Sequence, residues 1–281
     1  MPQILRLAAF AADPAGGNPA GVVLDAADLD DREMQRIAAE VDYAETAFVT
    51  ARDEDGVDIR YFSPIAEVPF CGHATVATAV ALVDHGETPA GELTFRTPVG
   101  PVVIRTAKTA GGGTTASFTS VEPAVDELPA AVLDRLLAEI GVDESALDGR
   151  MPPALAYAGN RHPIVVIASR AVFDDFTFDP AAMRALMDEQ EWRGTVTILH
   201  APTPSLLTAR NLFPVGRITE DPATGSAAAS VGAYLRARRL VTTPAEITIL
   251  QGEHVGRASR LDVRIPVSGG IVVTGTATPI G

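Results

Sequence analysis

The sequence contains a single cysteine, Cys71, among 281 residues. One thiol cannot form an internal disulfide, and it cannot supply the several thiolates of a structural zinc site or an iron–sulfur cluster. Low cysteine usage of this kind is typical of proteins in a reducing compartment. We therefore expect a cytoplasmic protein.

Basic residues are also scarce. Lys and Arg number 22 against 36 Asp and Glu, which gives a formal net charge of −14. Without a basic excess, a nucleic acid or an anionic membrane surface is a poor partner.

Long apolar runs are missing as well: residues 74–83 are too few to span a membrane, and residues 7–12 are too few for a secretory signal. Because 47% of the residues are hydrophobic, we expect a soluble folded protein that binds a small molecule or another protein.

The apolar periodicity predicts an α+β chain with strand runs around one central helix in each half. Residues 31–41 are predicted to form an amphipathic helix, and 46–51 with 57–62 a hairpin. The run Gly111-Gly112-Gly113 predicts a flexible turn, because it is too isolated for a phosphate-binding loop. Further strands are predicted at 3–10, 22–24, 93–97, 102–106, 164–168, 195–200, 206–212, 247–250, 261–265 and 271–276, and further helices at 130–140, 180–189 and 224–239.

Two windows of the sequence resemble each other. Residues 67–74 and 220–227 share Glu, Pro, Gly and Ala at the same places, and each follows a strand that ends in an aromatic residue close to a proline. Each window opens a helix rich in Ala, Ser, Thr, Val and Gly. A helix without a polar face is buried on every side. The sequence therefore predicts two similar domains, one around each helix.

The starts of these two helices are the first candidate site. The first N–H groups of a helix lack intrahelical partners and the macrodipole adds positive charge, so a carboxylate or phosphate is favoured there. Gly72 and Gly225 would let a ligand approach the backbone closely. If a pseudo-twofold axis relates the halves, both helix starts face one interdomain cleft. The alternative is that the shared Pro-x-x-Gly-x-Ala pattern marks only the turn and N-cap of two core helices.

Three titratable residues lie near these positions. His73 is either a packed histidine bonded to a backbone carbonyl or a neutral imidazole that relays a proton. Asp221 is either a partner of the helix dipole or a carboxylate that orients His73 or grips a substrate ammonium. Glu45 stands at a junction between a helix and a strand, where an isolated carboxylate is usually just solvated.

Several segments of the sequence specifically resemble the PhzF-like family of phenazine biosynthesis. They lie between residues 17 and 257, in the same order as in that family. They are Gly17-Asn18-Pro19-Ala20-Gly21-Val22-Val23, Ala44-Glu45-Thr46-Ala47-Phe48-Val49, Arg60-Tyr61-Phe62-Ser63-Pro64, Glu67-Val68-Pro69-Phe70-Cys71-Gly72-His73-Ala74-Thr75, Glu220-Asp221-Pro222-Ala223-Thr224-Gly225-Ser226-Ala227-Ala228, Gln251-Gly252 and Gly256-Arg257.

The resemblance implies the diaminopimelate-epimerase fold. In that fold two similar domains each wrap a curved, mostly antiparallel sheet around a central helix, the site lies between them, and the protein is commonly a homodimer. We expect the first domain at residues 1–118, completed by a C-terminal strand at about 270–281, and the second at residues 119–269.

The resemblance also implies a reaction. Phenazine-pathway members isomerise a dihydro-hydroxyanthranilate without a cofactor or a metal, and a glutamate moves a proton between ring carbons. By position, Glu45 matches that acid/base. His73 and Asp221 match residues that hold the substrate and assist proton movement. The substrate-binding positions of the family are matched by Asn18, Gly72, Gly225 and Ser226.

Cys71 departs from the phenazine-pathway pattern. Those members carry a small residue without a thiol at this position, and a proline where this chain has Ala74. Related amino-acid epimerases and proline racemases use two facing cysteines, and Cys71 matches the first of them. The internal repeat places Thr224 at the second position. A hydroxyl with no stronger base beside it is a poor proton acceptor, so a two-thiol racemisation is excluded.

Three interpretations follow. The preferred one is a cofactor-independent isomerase that transfers a proton within a small carboxylate-bearing substrate, with Cys71 as a vestigial small residue. The second is an amino-acid epimerase in which Glu45 and Cys71 act as unequal bases, which makes Cys71 a secondary proton donor. The third is a binding protein that kept the fold and lost turnover. A nicotinamide oxidoreductase is disfavoured because no Gly-x-Gly-x-x-Gly follows a predicted strand.

Overall fold

The computed structural model describes residues 2–215 and 218–281, which form two compact units. The first unit comprises the chain up to Thr119 together with Thr274–Gly281, and the second comprises Ser120–Val273. The strands are β1 Leu5–Ala9, β2 Asn18–Val23, β3 Glu45–Asp53, β4 Gly56–Phe62, β5 Glu67–Val68, β6 Glu92–Thr97, β7 Gly100–Lys108, β8 Thr114–Thr119, β9 Ala124–Glu127, β10 Ala154–Tyr157, β11 Arg161–Val166, β12 Val196–Thr203, β13 Leu206–Val215, β14 Ile218–Asp221, β15 Ala245–Gln251, β16 Ser259–Ile265 and β17 Val272–Pro279. The helices are α1 Asp31–Val41, α2 Gly72–Asp84, α3 Ala130–Glu139, α4 Arg170–Asp175, α5 Pro180–Glu189 and α6 Gly225–Ala237.

In the first unit, the strand pairings close on themselves around α2. Strand β1 pairs with β2, and the pairings continue through β3, β4, β6, β7 and β8 to β17, which returns to β1. The pairs β2–β3 and β4–β6 are parallel, whereas β1–β2, β3–β4, β6–β7 and β7–β8 are antiparallel. Every residue of α2 from His73 to Val83 is buried. The small side chains of this helix therefore match its complete enclosure.

The polar side chains inside α2 are satisfied locally. Thr75 Oγ1 donates to the carbonyl of Cys71 at 2.7 Å, and Thr78 Oγ1 donates to that of Ala74 at 2.7 Å. The Tyr61 hydroxyl lies 2.6 Å from Thr75 Oγ1. Because a buried hydroxyl without a partner is costly, these bonds make threonine tolerable in the enclosed helix.

The amphipathic helix α1 packs against an apolar cluster of the first unit. Asp30 caps it, accepting from the backbone N–H of Glu33, whose carboxylate accepts in return from the N–H of Asp30. The apolar face packs with side chains of β2, β3 and β4. The cluster includes Met34, Ile37, Ala38 and Val41 of α1 together with Val23, Phe48 and Phe62 of the strands. The predicted helix and the predicted hairpin of β3 with β4 are both confirmed.

The second unit repeats the same order of elements. Its pairings run β9–β10–β11–β12–β13–β15–β16, with β14 antiparallel to β13, and the parallel pairs are β11–β12 and β13–β15. Helix α6 packs against β9, β10, β11 and β16, and it is almost entirely buried. Helices α3, α4 and α5 cover an apolar cluster that includes Phe173 and Trp192.

The internal repeat is confirmed by topology. The strands β1, β2, β3, β4 and β5, helix α2, and strands β6 and β7 correspond in order and pairing to β10, β11, β12, β13 and β14, helix α6, and strands β15 and β16. Both central helices have 13 residues and begin at the glycines of the repeated window. The α+β fold of mostly antiparallel sheets wrapped around a central helix is therefore the observed one.

Several predicted elements need correction. The strand predicted at 22–24 begins earlier, at Asn18, which pairs with Ala9. A turn occupies the residues before Asn18, where Gly17 has φ +79° and an added Cβ would lie 2.8 Å from the Ala9 carbonyl oxygen. Strands β5, β8, β9, β10 and β14 and the short helix α4 were not predicted. Within residues 2–215 and 218–281, no helix has both the length and the apolar character to cross a membrane.

Candidate functional site

The predicted site residues of the first unit meet at the N-terminal end of α2. Strands β2 and β3 are parallel, with Ala20 opposite Glu45, so Asn18 and Glu45 start adjacent strands at one edge of the sheet. Cys71 is the N-cap of α2 and His73 lies in its first turn. Three separate chain segments therefore bring these four side chains to one place.

The side chains form a compact polar cluster. Glu45 Oε2 lies 3.4 Å from Cys71 Sγ and 3.5 Å from His73 Nε2. His73 Nδ1 lies 3.3 Å from Cys71 Sγ and 3.3 Å from the side-chain nitrogen of Asn18. Asn18, Cys71 and His73 are buried, whereas the Glu45 side chain keeps 22% exposure. A partly exposed carboxylate beside buried polar groups can exchange a proton with a bound molecule.

The His73 imidazole is neutral near pH 7. Burial lowers the pKa of His73 to about 4, and a hydrogen bond with the backbone of Pro19 opposes this shift. Burial is therefore the main cause of the neutral form. A neutral imidazole can accept or donate a hydrogen bond at Nε2, where Glu45 lies.

Gly72 is not required by packing inside the unit. An added Cβ would make only ordinary van der Waals contacts, the nearest at 3.7 Å to the Phe118 ring. In the described structure, the side chain of the N-cap residue Cys71 makes no capping hydrogen bond to α2. The absence of a packing reason for glycine favours the interpretation that a ligand approaches the backbone here.

The second unit has an equivalent arrangement at the start of α6. Asp221 ends β14, and its Oδ2 accepts from Thr224 Oγ1 at 2.5 Å. Gln251 Nε2 donates to the Asp221 carbonyl at 2.7 Å and to Thr224 Oγ1 at 3.0 Å, while Gln251 Oε1 accepts from the Thr224 backbone N–H at 3.2 Å. Thr224, the counterpart of Cys71, thus directs its hydroxyl to Asp221. Gly225 and Ser226 follow as the first residues of the helix.

Ser226 contacts a buried histidine that sequence reasoning missed. His162 Nε2 lies 3.0 Å from Ser226 Oγ, and His162 Nδ1 lies 3.1 Å from Thr195 Oγ1. Thr195 Oγ1 donates in turn to Asn211 Oδ1 at 2.7 Å. Burial lowers the pKa of His162 to about 4, and a hydrogen bond of its ring with the Thr195 backbone carbonyl opposes this shift. A neutral His162 therefore holds the Ser226 hydroxyl in one orientation at the helix start.

An Arg–Glu pair lies on the strands that precede each central helix. Glu67 on β5 lies opposite Phe62 and binds Arg60, and Glu220 on β14 lies opposite Leu212 and binds Arg210. The two pairs therefore occupy equivalent positions of the repeat. Each joins the short strand that leads into the helix to its longer neighbour, which fixes the direction from which the chain enters α2 or α6.

Solved structures identify the class of fold. A phenazine biosynthesis protein of the PhzF family from Bacillus anthracis is 27% identical, with a TM-score of 0.86 over 99% of this chain and 96% of its own. A probable proline racemase from Agrobacterium radiobacter is 14% identical, with a TM-score of 0.66 over 100% of this chain and 92% of its own, which shows the fold alone. The chain has the fold that PhzF proteins share with the proline racemases and diaminopimelate epimerases.

The sequence comparisons narrow the class to one family. The family model described as phenazine biosynthesis-like protein matches residues 7–280. Trans-2,3-dihydro-3-hydroxyanthranilate isomerase from Pseudomonas aeruginosa is 32% identical over 270 residues, covering 96% of this chain and 92% of its own. The chain belongs to the phenazine biosynthesis-like family, and it is an isomerase of the PhzF type.

Proposed function

We propose that this isomerase moves a proton within a small carboxylate-bearing substrate, and that Glu45 is the acid/base. The observation that carries the proposal is the position of Glu45. It begins β3, remains partly exposed, and lies within 3.5 Å of both His73 and Cys71 at the start of a buried helix. No cofactor is needed for such a transfer, because the same carboxyl group can remove the proton and return it.

The proposed reaction is balanced in two steps. Glu45 carboxylate removes a proton from a substrate carbon, and the electron pair moves into the conjugated system that ends in the substrate carboxylate. Glu45, now a carboxylic acid whose partly exposed side chain can exchange its proton with solvent, delivers a proton to a second carbon of the same system, and its own charge is restored. Neutral His73 contacts Glu45 through Nε2 at 3.5 Å, and this contact orients the Glu45 carboxylate.

The helix starts supply the binding groups in this proposal. The backbone N–H groups near Gly72 favour a substrate carboxylate, because they are aligned with the positive end of the α2 dipole. We propose that Asp221, Gly225 and Ser226 of the second unit also take part in catalysis and substrate binding. Asp221 would orient an amino or hydroxyl group, and Ser226 would contact the substrate through its hydroxyl oxygen, which His162 holds in place.

The substrate is proposed to be a cyclic or acyclic amino or hydroxy acid. The Pseudomonas aeruginosa relative is named for a dihydro-hydroxyanthranilate, so a compound of that type is the first to test. The family resemblance also predicts a homodimer, which sedimentation of the purified chain would check.

A second candidate function rests on the thiol. Cys71 Sγ lies 3.4 Å from Glu45 Oε2 and 3.3 Å from His73 Nδ1, so a second proton carrier stands beside the first. An epimerase using both groups would remove a proton with one and supply it with the other. The product would then be inverted at the carbon that exchanges its proton.

Mass spectrometry in D₂O tests both functions. The purified chain is incubated with a panel of amino and hydroxy acids, including a dihydro-hydroxyanthranilate, and deuterium uptake is located by fragmentation and NMR. The proposal expects a deuteron at a carbon other than the one deprotonated, without inversion at the first. Inversion at the exchanging carbon would support the epimerase, and no exchange with any carboxylate would contradict proton-transfer chemistry.

A further inference from the structure

The Ser226 hydroxyl belongs to a chain of hydrogen bonds that runs into the core of the second unit. Ser226 is partly exposed, whereas His162, Thr195, Thr197 and Asn211 are buried. The contacts lead from Ser226 Oγ to His162 Nε2, from His162 Nδ1 to Thr195, and from Thr195 Oγ1 to Asn211. Because buried polar groups must find their partners inside the protein, the place of each proton follows from the inner end of the chain.

Asn211 fixes that inner end. Its Oδ1 lies 2.7 Å from Thr195 Oγ1 and 2.7 Å from Thr197 Oγ1, a separation typical of an O–H···O bond and short for an N–H···O bond. An amide oxygen has two lone pairs and no proton, so both hydroxyls donate to it. Thr195 Oγ1 has then used its only proton, and toward His162 it can act only as an acceptor.

The single proton of the neutral His162 ring therefore lies on Nδ1. This nitrogen is 3.0 Å from the Thr195 carbonyl oxygen and 3.1 Å from Thr195 Oγ1, which are both acceptors. The Thr195 backbone N–H, also 3.1 Å away, is the donor among these three contacts. A bare Nδ1 would gain that one bond and face two oxygen lone pairs, so the protonated Nδ1 is favoured. Nε2 keeps its lone pair, and Ser226 Oγ, 3.0 Å away, donates to it.

Packing holds the ring in place independently of these bonds. A Cβ on Gly194 would lie 2.6 Å from His162 Cε1, 2.9 Å from His162 Nδ1 and 2.7 Å from the Arg161 carbonyl oxygen. Any side chain at position 194 would therefore displace the imidazole. The close approach of the ring explains the glycine, and it keeps His162 directed at Ser226.

The start of α6 consequently presents acceptors to a ligand. Ser226 Oγ has given its proton to His162 and offers lone pairs alone, and the nearby Asp221 carboxylate is an acceptor as well. An N–H or O–H group of a bound molecule would gain a hydrogen bond at Ser226 Oγ. An ether or carbonyl oxygen placed there would meet a lone pair with no proton between the two oxygens.

We propose that His162, Thr195 and Asn211 are positioning residues that make Ser226 Oγ a hydrogen-bond acceptor only, and that Ser226 thereby selects carboxylate-bearing substrates with an amino or hydroxyl group that donates to it. An acid of the same shape without that donor is rejected. The selection rests on the role proposed for Ser226 in substrate binding, whereas the direction of the hydrogen bonds does not.

Nitrogen NMR of the histidine rings tests the direction of the hydrogen bonds. The chain is labelled with ¹⁵N-histidine, and two-bond ¹H–¹⁵N correlations near pH 7 show which nitrogen of each ring carries the proton. Nuclear Overhauser contacts with Thr195 assign the His162 ring in the wild-type protein, so no variant has to fold. We expect the proton on Nδ1, and a proton on Nε2 would overturn the proposal.

Calorimetric titration with two acids of one shape tests the selection. Anthranilate carries an amino group where 2-methylbenzoate carries a methyl group. We expect the wild type to bind anthranilate about tenfold more tightly, and Ser226→Ala to lose this preference. His85→Gln, which removes an exposed histidine at the end of α2, should keep it. Equal affinities of the wild type for the two acids, or failure of anthranilate to bind, would overturn the selection.

A third acid tests His162 itself. In His162→Phe the Ser226 proton is released and can be donated to a ligand, so 2-methoxybenzoate, which offers only an acceptor at that position, should bind about threefold or more tightly than it binds the wild type. A purely structural role for His162 would predict weaker binding, and that result would contradict the positioning role. None of these measurements involves removal of a proton from carbon, so all remain decisive whether or not Glu45 proves catalytic.

Discussion

Glu220→Gln is expected to destabilise this protein much more than Glu67→Gln does. The two glutamates occupy equivalent positions of the repeat, and each binds an arginine on the neighbouring strand. The pairs differ in burial. The Arg210 and Glu220 side chains are 8% and 9% exposed, against 28% and 36% for Arg60 and Glu67. The same change of carboxylate to amide therefore probes the same local geometry in two different environments.

The expected magnitudes follow from this burial. Removing one partner of a buried ion pair leaves an uncompensated charge and costs about 3–5 kcal/mol. Arg210 keeps its bonds to the carbonyls of Phe173 and Phe176, at 3.2 and 2.9 Å, and the new amide can still accept a hydrogen bond. We therefore expect about 3 kcal/mol for Glu220→Gln. For Glu67→Gln, a partly exposed pair gives about 0–1 kcal/mol.

Urea denaturation followed by two probes measures both values. Far-UV circular dichroism reports the whole chain. The fluorescence of Trp192, the single tryptophan, reports the apolar cluster of the second unit. Glu220→Gln should lower the midpoint of the Trp192 transition strongly, and Glu67→Gln should barely move it. Equal losses of stability in the two variants would refute the argument that burial decides the cost of breaking these pairs.

Three further predictions concern individual residues. Because burial lowers the pKa of His162 to about 4, the unfolded chain binds a proton that the folded chain does not as pH falls from about 6.5 to 4. Between about pH 7.5 and 5, the wild type should lose roughly 2 kcal/mol more stability than His162→Gln in urea titrations, and parallel losses would contradict this. Gly72→Ala should change the free energy of unfolding by less than about 0.5 kcal/mol, since the added Cβ has room. It should nevertheless raise KM for the substrate. An unchanged KM would show that Gly72 is not part of the binding site. Cys71→Ala should keep most of the turnover if the thiol is vestigial, whereas a loss as complete as that of Glu45→Gln would make Cys71 the second base.

Much of the fold could be predicted because its signals are local. Helix α1 follows from apolar spacing alone, and the observed helix is amphipathic over the predicted range. The repeat could be found because Gly72 and Gly225 stand at equivalent helix starts, where burial on all sides restricts the sequence to small residues. Strands β8 and β9 were missed because their segments, Thr114–Thr119 and Ala124–Glu127, are short and partly exposed, so they lack a clear apolar alternation.

Site residues were predicted only where they lie in a segment that resembles a family motif. Glu45, Cys71 and His73 lie in family segments, and the structure brings them within hydrogen-bonding reach of one another. His162 and its contact with Ser226 gave no such signal. These residues are 64 positions apart, and their contact depends on how β11 packs beside α6 rather than on any local spacing. A buried histidine of this kind can be found only after the sheet has been assembled.

The most direct test of the account is the rate of deuterium exchange into the substrate by Glu45→Gln. The amide keeps the size of the side chain but cannot accept a proton from carbon, so the exchange rate should fall by about 10²–10⁴-fold with little loss of stability. Glu40→Gln, which changes an exposed glutamate paired with Arg36, should exchange at the wild-type rate. A Glu45→Gln enzyme that retained more than about a tenth of the wild-type rate would contradict the central role given to Glu45.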